Sequence, residues 1–283
     1  ANLKYNFFLK MSVYKSLCLS GGGIQGFQVL GALSSISENS CFNIEEFVGT
    51  SAGSMICYLL SIRYSPTEIL TELTQTRVFD KLKFPNYMQM VQCGGATSFA
   101  PIQEFLETIT IKKMGKLLTI GQLKEETGNS FTCVTFNYSK KRVEILSPET
   151  TPEIPCITAV RMSSTVPFMF PPYKYGDSYY IDGGLAFNFP QQCIKAKPSL
   201  GIYVISEDEK TGDFDSDFNP VSYALDILNV SIGANTQASA DVFEGDVVKI
   251  SSTNGSFNFG LDTSAKLNLF SFGYQIGKKF ISD

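Results

Sequence analysis

With 283 residues, 43% of them hydrophobic, and a net charge of −4, the chain can bury a sizeable core and lacks the basic balance that a nucleic acid partner requires. It contains no histidine, which rules out a Ser-His-Asp triad; with no C-x-x-C pair among its seven cysteines, it also has too few ligands for a zinc site. The scattered cysteines read as reduced core thiols of a cytoplasmic chain, no metal or other cofactor is expected, and no apolar run approaches the ~20 residues of a membrane span.

One domain is expected over residues 1–283, with 1–12 as a flexible leader. Residues 14–20 read as a buried strand running into Gly21-Gly22-Gly23-Ile24-Gln25-Gly26, and a helical pattern follows through Phe27, Val29, Leu30, Leu33 and Ile36. A second strand, Phe47-Val48, enters Gly49-Thr50-Ser51-Ala52-Gly53, and residues 54–62 fit a helix. Ser65-Pro66-Thr67-Glu68 combines a capping serine, a proline at the first helical position and a glutamate three residues on, so another helix starts there. Residues 79–91 mix lysines with Phe84, Tyr87, Met88, Met90 and Val91, which suits either a flap on an anionic membrane or ordinary core packing. A helix begins at Pro101. Residues 131–136 and 143–146 read as antiparallel strands whose turn holds Lys140, Lys141 and Arg142, and residues 157–162 look helical. The apolar, proline-broken stretch 163–172 either walls an acyl-chain pocket or serves as a buried connector. After a turn at Tyr175-Gly176-Asp177-Ser178, the strand 179–181 ends in Asp182-Gly183-Gly184. A strand at 200–205, a solvated acidic loop at 207–217, a helix at 221–240, a strand at 247–250 and a closing helix at 263–280 complete the chain. The alternation predicts an α/β fold of three layers, α/β/α, with a mostly parallel central sheet.

Gly49-x-Ser51-x-Gly53 between strand and helix has the form of a nucleophile elbow, which sets one hydroxyl on a sharp turn. Glycine in a tight turn has other uses, so the pattern alone leaves catalysis open. A serine nucleophile needs a base, and without imidazole that base is Asp, Glu, Lys or a water held by one of them. Asp182, at a strand end beside two glycines, is placed as catalytic groups are in α/β sheets, although Asp-Gly is also a common turn pair. Gly21-x-Gly23-x-x-Gly26 matches the dinucleotide fingerprint, but Glu45 and Glu46 precede the second strand instead of ending it, which weighs against a cofactor. The other uses of the glycine run are an anion-binding nest of Gly21, Gly22 and Gly23 N–H groups, suited to an oxyanion, or a plain tight turn.

Ser20 to Gly26, Gly49 to Gly53 and Asp182-Gly183-Gly184, in this order and spacing, resemble the patatin-like phospholipases. Arg161-Met162-Ser163-Ser164 through Pro167 and Phe170, then Asn188 and Pro190, extend the likeness, which runs from about Tyr14 to Ile205. The resemblance implies a lipid acyl hydrolase of phospholipase A type. Ser51 would attack, Asp182 would accept its proton, and Gly21, Gly22 and Gly23 would hold the oxyanion. Gln25, Gly26, Pro167 and Phe168 are taken as substrate-binding positions. The implied partners are an acyl-ester lipid and a peripheral membrane surface, with a protein activator left open. Where the family usually has Arg or Lys this chain has Gln25, so a weakly active or inactive lipid-binding scaffold stays open, as does acyl transfer to another acceptor.

Overall fold

A computed structural model describes residues 14–39, 42–82, 87–206, 220–253 and 255–283; the expected leader at 1–12 and the acidic loop at 207–217 lie outside these described residues. In chain order the elements are β1 (Tyr14–Leu19), α1 (Gly26–Asn39), β2 (Phe42–Thr50), α2 (Ala52–Ser61), α3 (Pro66–Thr76), α4 (Tyr87–Cys93), α5 (Ala100–Met114) and α6 (Ile120–Thr127). Then come β3 (Ser130–Asn137), β4 (Arg142–Leu146), α7 (Cys156–Ser163), β5 (Tyr173–Tyr175), β6 (Ser178–Asp182) and α8 (Gly184–Phe187). The chain closes with β7 (Ser199–Ser206), α9 (Pro220–Ala240), β8 (Asp246–Ser252) and α10 (Thr263–Ser282).

Local chemistry accounts for several boundaries. α3 starts at the expected capping box, in which the Ser65 hydroxyl accepts from Glu68 N–H and the Glu68 carboxylate accepts from Ser65 N–H. A second box, Thr119 with Gln122, starts α6, a helix the hydrophobic pattern did not indicate. β2 begins at Phe42, well before Phe47, so Glu45 and Glu46 lie within the strand. Glu46 is buried there and accepts from the backbone N–H groups of Lys195 and Ala196, which gives it a structural task in place of a ribose contact.

The sheet runs β5-β6-β3-β2-β1-β7-β8, with β4 also on β3. β3-β2, β2-β1, β1-β7 and β7-β8 are parallel; β4 and β6 pair antiparallel with β3, and β5 with β6. β3 therefore has three partners on two edges. β4 pairs with residues 133–137, β2 with 130–134 and β6 with 135–137. Because β4 overlaps both others, β2 and β6 share the remaining edge end to end. Thr50 stands opposite Val134 and Asp182 opposite Thr135, so the C-terminal ends of β2 and β6 meet at consecutive residues of one strand.

Side chains alternate across the sheet with the period of two that strands impose. Leu17, Leu19, Phe47, Phe131, Ile202 and Ile250 face a large core shared with α1, α2 and α5. Cys18 and Tyr203 face a smaller cluster that includes Phe189, Ala240 and Phe243. Helical layers thus cover both faces. Cys18, Cys57, Cys133, Cys156 and Cys193 are buried free thiols, Cys93 is exposed, and Cys41 lies outside the described residues. Among the described residues no helix is long and apolar enough to cross a membrane.

α10 lies against α1 through glycine. A Cβ on Gly273 would stand 1.9 Å from the Gln28 carbonyl oxygen, and one on Gly31 would stand 2.0 Å from that of Phe270. Side chains at these points would force the two helices apart. Gly273→Val is expected to lower the unfolding free energy by about 1–3 kcal/mol, measured as a lower denaturant midpoint; an unchanged midpoint would mean the helices do not pack this tightly in solution.

Candidate active site

The turn after β2 is held by backbone meeting backbone. A Cβ on Gly49 would lie 2.6 Å from the Gly53 carbonyl group, and one on Gly53 would lie 2.5 Å from the Ser20 carbonyl oxygen, so only glycine lets α2 close against β2 and the end of β1. Between them Ser51 takes φ 54° and ψ −127°, a region that strains any residue with a side chain. The strain is held in place: Ser51 N–H donates to the Ser163 hydroxyl at 3.0 Å, which donates to the Val134 carbonyl at 2.6 Å. Ser51 is 8% exposed and sits at the N-terminus of α2, whose unpaired N–H groups carry partial positive charge.

Asp182 ends β6 and is 3% exposed. Its N–H donates to the Thr165 carbonyl, and its Oδ1 accepts from Gly184 N–H at 2.7 Å. Among the described residues no group donates a hydrogen bond to Oδ2. Burial raises the carboxyl pKa from 3.8 to about 6, and the neighbouring Ser51 hydroxyl and Gly184 N–H oppose that rise. The enclosure comes from the 163–167 segment of the proline-broken stretch and the turn after β6, while Tyr179 is exposed. Both glycines of that turn are needed, because a Cβ on Gly183 would strike the Val134 carbonyl and one on Gly184 would crowd Asp182 Oδ1 at 2.9 Å.

Ser51, Asp182, Gly21, Gly22, Gly23, Gln25 and Pro167 line one cleft. The glycines are not equivalent. Gly21 N–H donates to the Asn188 side-chain oxygen at 3.1 Å, whereas no partner among the described residues accepts from Gly22 or Gly23 N–H. Gly23 has φ 54°, and a Cβ there would fall 2.1 Å from the Ser256 carbonyl oxygen. Gln25 is buried and its Oε1 accepts from the Ser256 hydroxyl at 3.1 Å. Gly26 and Phe168 do not line this cleft: Gly26 faces a neighbouring cavity, and Phe168, with φ 66°, is 39% exposed.

Other groups also line the cleft; of these, Asn188 was named in the sequence only as part of the family likeness, with no role at the site. Asn188 joins the glycine loop to α9, its amide donating to Gly21 O at 3.3 Å and to the Thr236 hydroxyl at 2.8 Å. Leu228, Asn229, Ile232 and Gly233 of α9, with Ser256 and Phe257, complete the wall. Among the lining residues Asp182 is the only ionisable one. Among the described residues no cluster of three or more Cys, Asp or Glu side chains could hold a metal ion.

The patatin-like phospholipase profile matches residues 17–192, more than half of the chain and a span that contains Ser51, Asp182 and the glycine loop. The chain belongs to the patatin-like phospholipase family. It is 36% identical over 192 residues to a probable lipid hydrolase, 463L, of Invertebrate iridescent virus 6, a match covering 66% of this chain and 65% of that protein. It is also 30% identical to the uncharacterized protein R571 of Acanthamoeba polyphaga mimivirus, over 95% of this chain and 94% of the other. Among solved structures it resembles VipD from Legionella pneumophila, with a TM-score of 0.59 at 16% identity over 95% of this chain and 67% of that one, a likeness of fold.

The raised Asp182 pKa has a consequence for stability. Between its ordinary pKa of 3.8 and about 6 the folded chain keeps a proton that the unfolded chain has released, so this group makes stability fall as pH rises through that window. Above it the penalty is constant at about 3 kcal/mol. Asp182→Asn keeps an acceptor for Gly184 N–H and removes the charge. It is expected to raise the unfolding free energy by about 1–3 kcal/mol at pH 7.5 and by progressively less towards pH 4, measured by urea denaturation at both pH values.

Proposed function

We propose that the chain hydrolyses fatty-acyl esters of phospholipids, with Ser51 as nucleophile and Asp182 as its base. The observation that carries this reading is a desolvated carboxylate with a pKa near 6 beside a strained serine, in a chain without histidine. An ordinary aspartate is too weak a base near neutral pH, and burial moves this one towards the range where general-base catalysis is efficient. In the first step Ser51 Oγ attacks the ester carbonyl while Asp182 takes the hydroxyl proton. The negative oxygen that develops is held by the N–H groups of Gly22 and Gly23, close to the N-terminus of α2. Collapse expels the alcohol, which takes the proton back from Asp182, and leaves an acyl-serine. Water then attacks with Asp182 as base, and fatty acid departs as Ser51 regains its proton.

The family supports the substrate class, and the apolar cleft wall of Val166, Pro167, Leu185 and Ile232 suits a lipid ester. Exposed Met88 and Val91 on α4, at 67% and 79%, and Val230 on α9 offer apolar side chains for contact with a lipid surface.

A fluorophosphonate probe is expected to label Ser51, and Ser51→Ala to abolish labelling and lower fatty-acid release from phosphatidylcholine vesicles by about 10⁴-fold. Labelling that survives the substitution would sink the assignment, and vesicle binding without release from the unaltered protein would leave a lipid-binding scaffold. The base must be ionised, so kcat/KM is expected to rise with pH through about 6 and level off above, as one limb with no histidine contribution. A profile flat from pH 5 to 8 would remove Asp182 as the base.

A further inference from the structure

Ser256 lies between β8 and α10, beyond residue 192 where the family match ends, and is buried against the glycine loop. Its carbonyl accepts from Ile24 N–H at 2.9 Å, and its hydroxyl donates to Gln25 Oε1 at 3.1 Å. The first bond fixes the backbone of the loop. The second occupies a side-chain oxygen that has another use within reach.

That use follows from the position of Gln25. Gly22 caps the first helical turn after β1, and Gln25 is the third residue of that turn. Glutamine at this position commonly reaches back and accepts from the N–H of the cap residue. The chain does so elsewhere, where Gln122 Oε1 accepts from Thr119 N–H at 3.0 Å. One residue before Gly22, another amide oxygen takes the loop N–H, as Asn188 Oδ1 accepts from Gly21 at 3.1 Å. Gln25 Oε1 stands near enough to do likewise, since a Cβ on Gly22 would lie 3.5 Å from it. Yet among the described residues nothing accepts from Gly22 N–H, and Gln25 Oε1 is turned to the Ser256 hydroxyl instead.

Building on the acyl-ester reading of Ser51, we propose that Ser256 is a positioning residue for that reaction: by engaging Gln25 Oε1 it keeps Gly22 N–H open to the developing oxyanion. It touches no reacting atom and acts through Gln25. Without its hydroxyl, Gln25 folds back onto Gly22 N–H, and the oxyanion must displace that bond before it can be held. The penalty falls on the transition state, so kcat drops while KM stays.

The test is hydrolysis of p-nitrophenyl butyrate by the full chain. Ser256→Ala is expected to lower kcat about tenfold, short of the roughly 10²–10³-fold cost of losing a donor outright. KM is expected to hold, and the rise of kcat/KM through about pH 6 to stay in place, because Asp182 is untouched. Ser256→Thr, which keeps the hydroxyl, is expected to retain most of kcat. Gln25→Met removes the competing acceptor, so in that background Ser256→Ala is expected to leave kcat unchanged. An undiminished kcat in Ser256→Ala would overturn the proposal, and so would an equal loss in the Gln25→Met background, which would mean that Ser256 only supports the fold. A readout independent of turnover is solvent exchange of the Gly22 amide, followed by NMR on glycine-labelled protein. Exchange is expected to slow in Ser256→Ala and to stay fast in the double variant; equal rates in Ser256→Ala and the unaltered protein would overturn the proposal. If the unaltered protein cleaves no ester, the hydrolase reading fails, and the exchange rates alone decide whether Ser256 holds Gln25 away from Gly22.

Discussion

The arrangement of this molecule depends on two strands sharing one edge of a third. β4 occupies one side of β3, so β2 and the antiparallel β6 must divide the other, and their ends meet at Val134 and Thr135. That junction brings a serine and an aspartate 131 positions apart in sequence into one cleft without a long loop to carry either. It also explains the glycines. Gly49, Gly53 and Gly183 stand where backbone meets backbone, and a methyl group at any of them would pry the junction open. Ser163 bridges the two halves by hydrogen-bonding both Ser51 and Val134.

Burial then converts geometry into chemistry. A carboxylate with one backbone N–H and one nearby hydroxyl is poorly compensated for its lost hydration, so its proton is held more tightly. The same enclosure that makes Asp182 costly to ionise moves its proton affinity towards the range that general-base catalysis near neutral pH requires. Among the described residues no cationic side chain lines the cleft to relieve it, and Gln25 there hydrogen-bonds to Ser256.

Much of this was legible in the sequence because its signals were local. Three glycine-containing motifs marked strand-to-helix turns, the Ser65 box marked a helix start, and alternating apolar runs marked buried strands. Features set by distant partners were not legible. Glu46 looked like a residue before a strand because its partners, Lys195 and Ala196, lie some 150 positions away. The α6 helix has a readable cap at Thr119 but is short and polar, so apolar periodicity gave little sign of it. The three loop glycines looked alike, and only the position of Asn188 shows that Gly21 N–H is engaged while, among the described residues, Gly22 and Gly23 N–H have no acceptor. Gly26 and Phe168 carry the right residue types in the right motifs, yet neither lines the Ser51 cleft, because the way each backbone position faces is not determined by spacing.

The family match ends at residue 192, but the cleft does not. Thr236 receives the Asn188 amide, Ser256 braces the glycine loop, and α10 seals α1 through Gly273. A fragment cut at the boundary of the aligned region would lose these supports together with two strands of the sheet. Changes in this final third can therefore reshape what enters the cleft while the three glycine motifs stay intact.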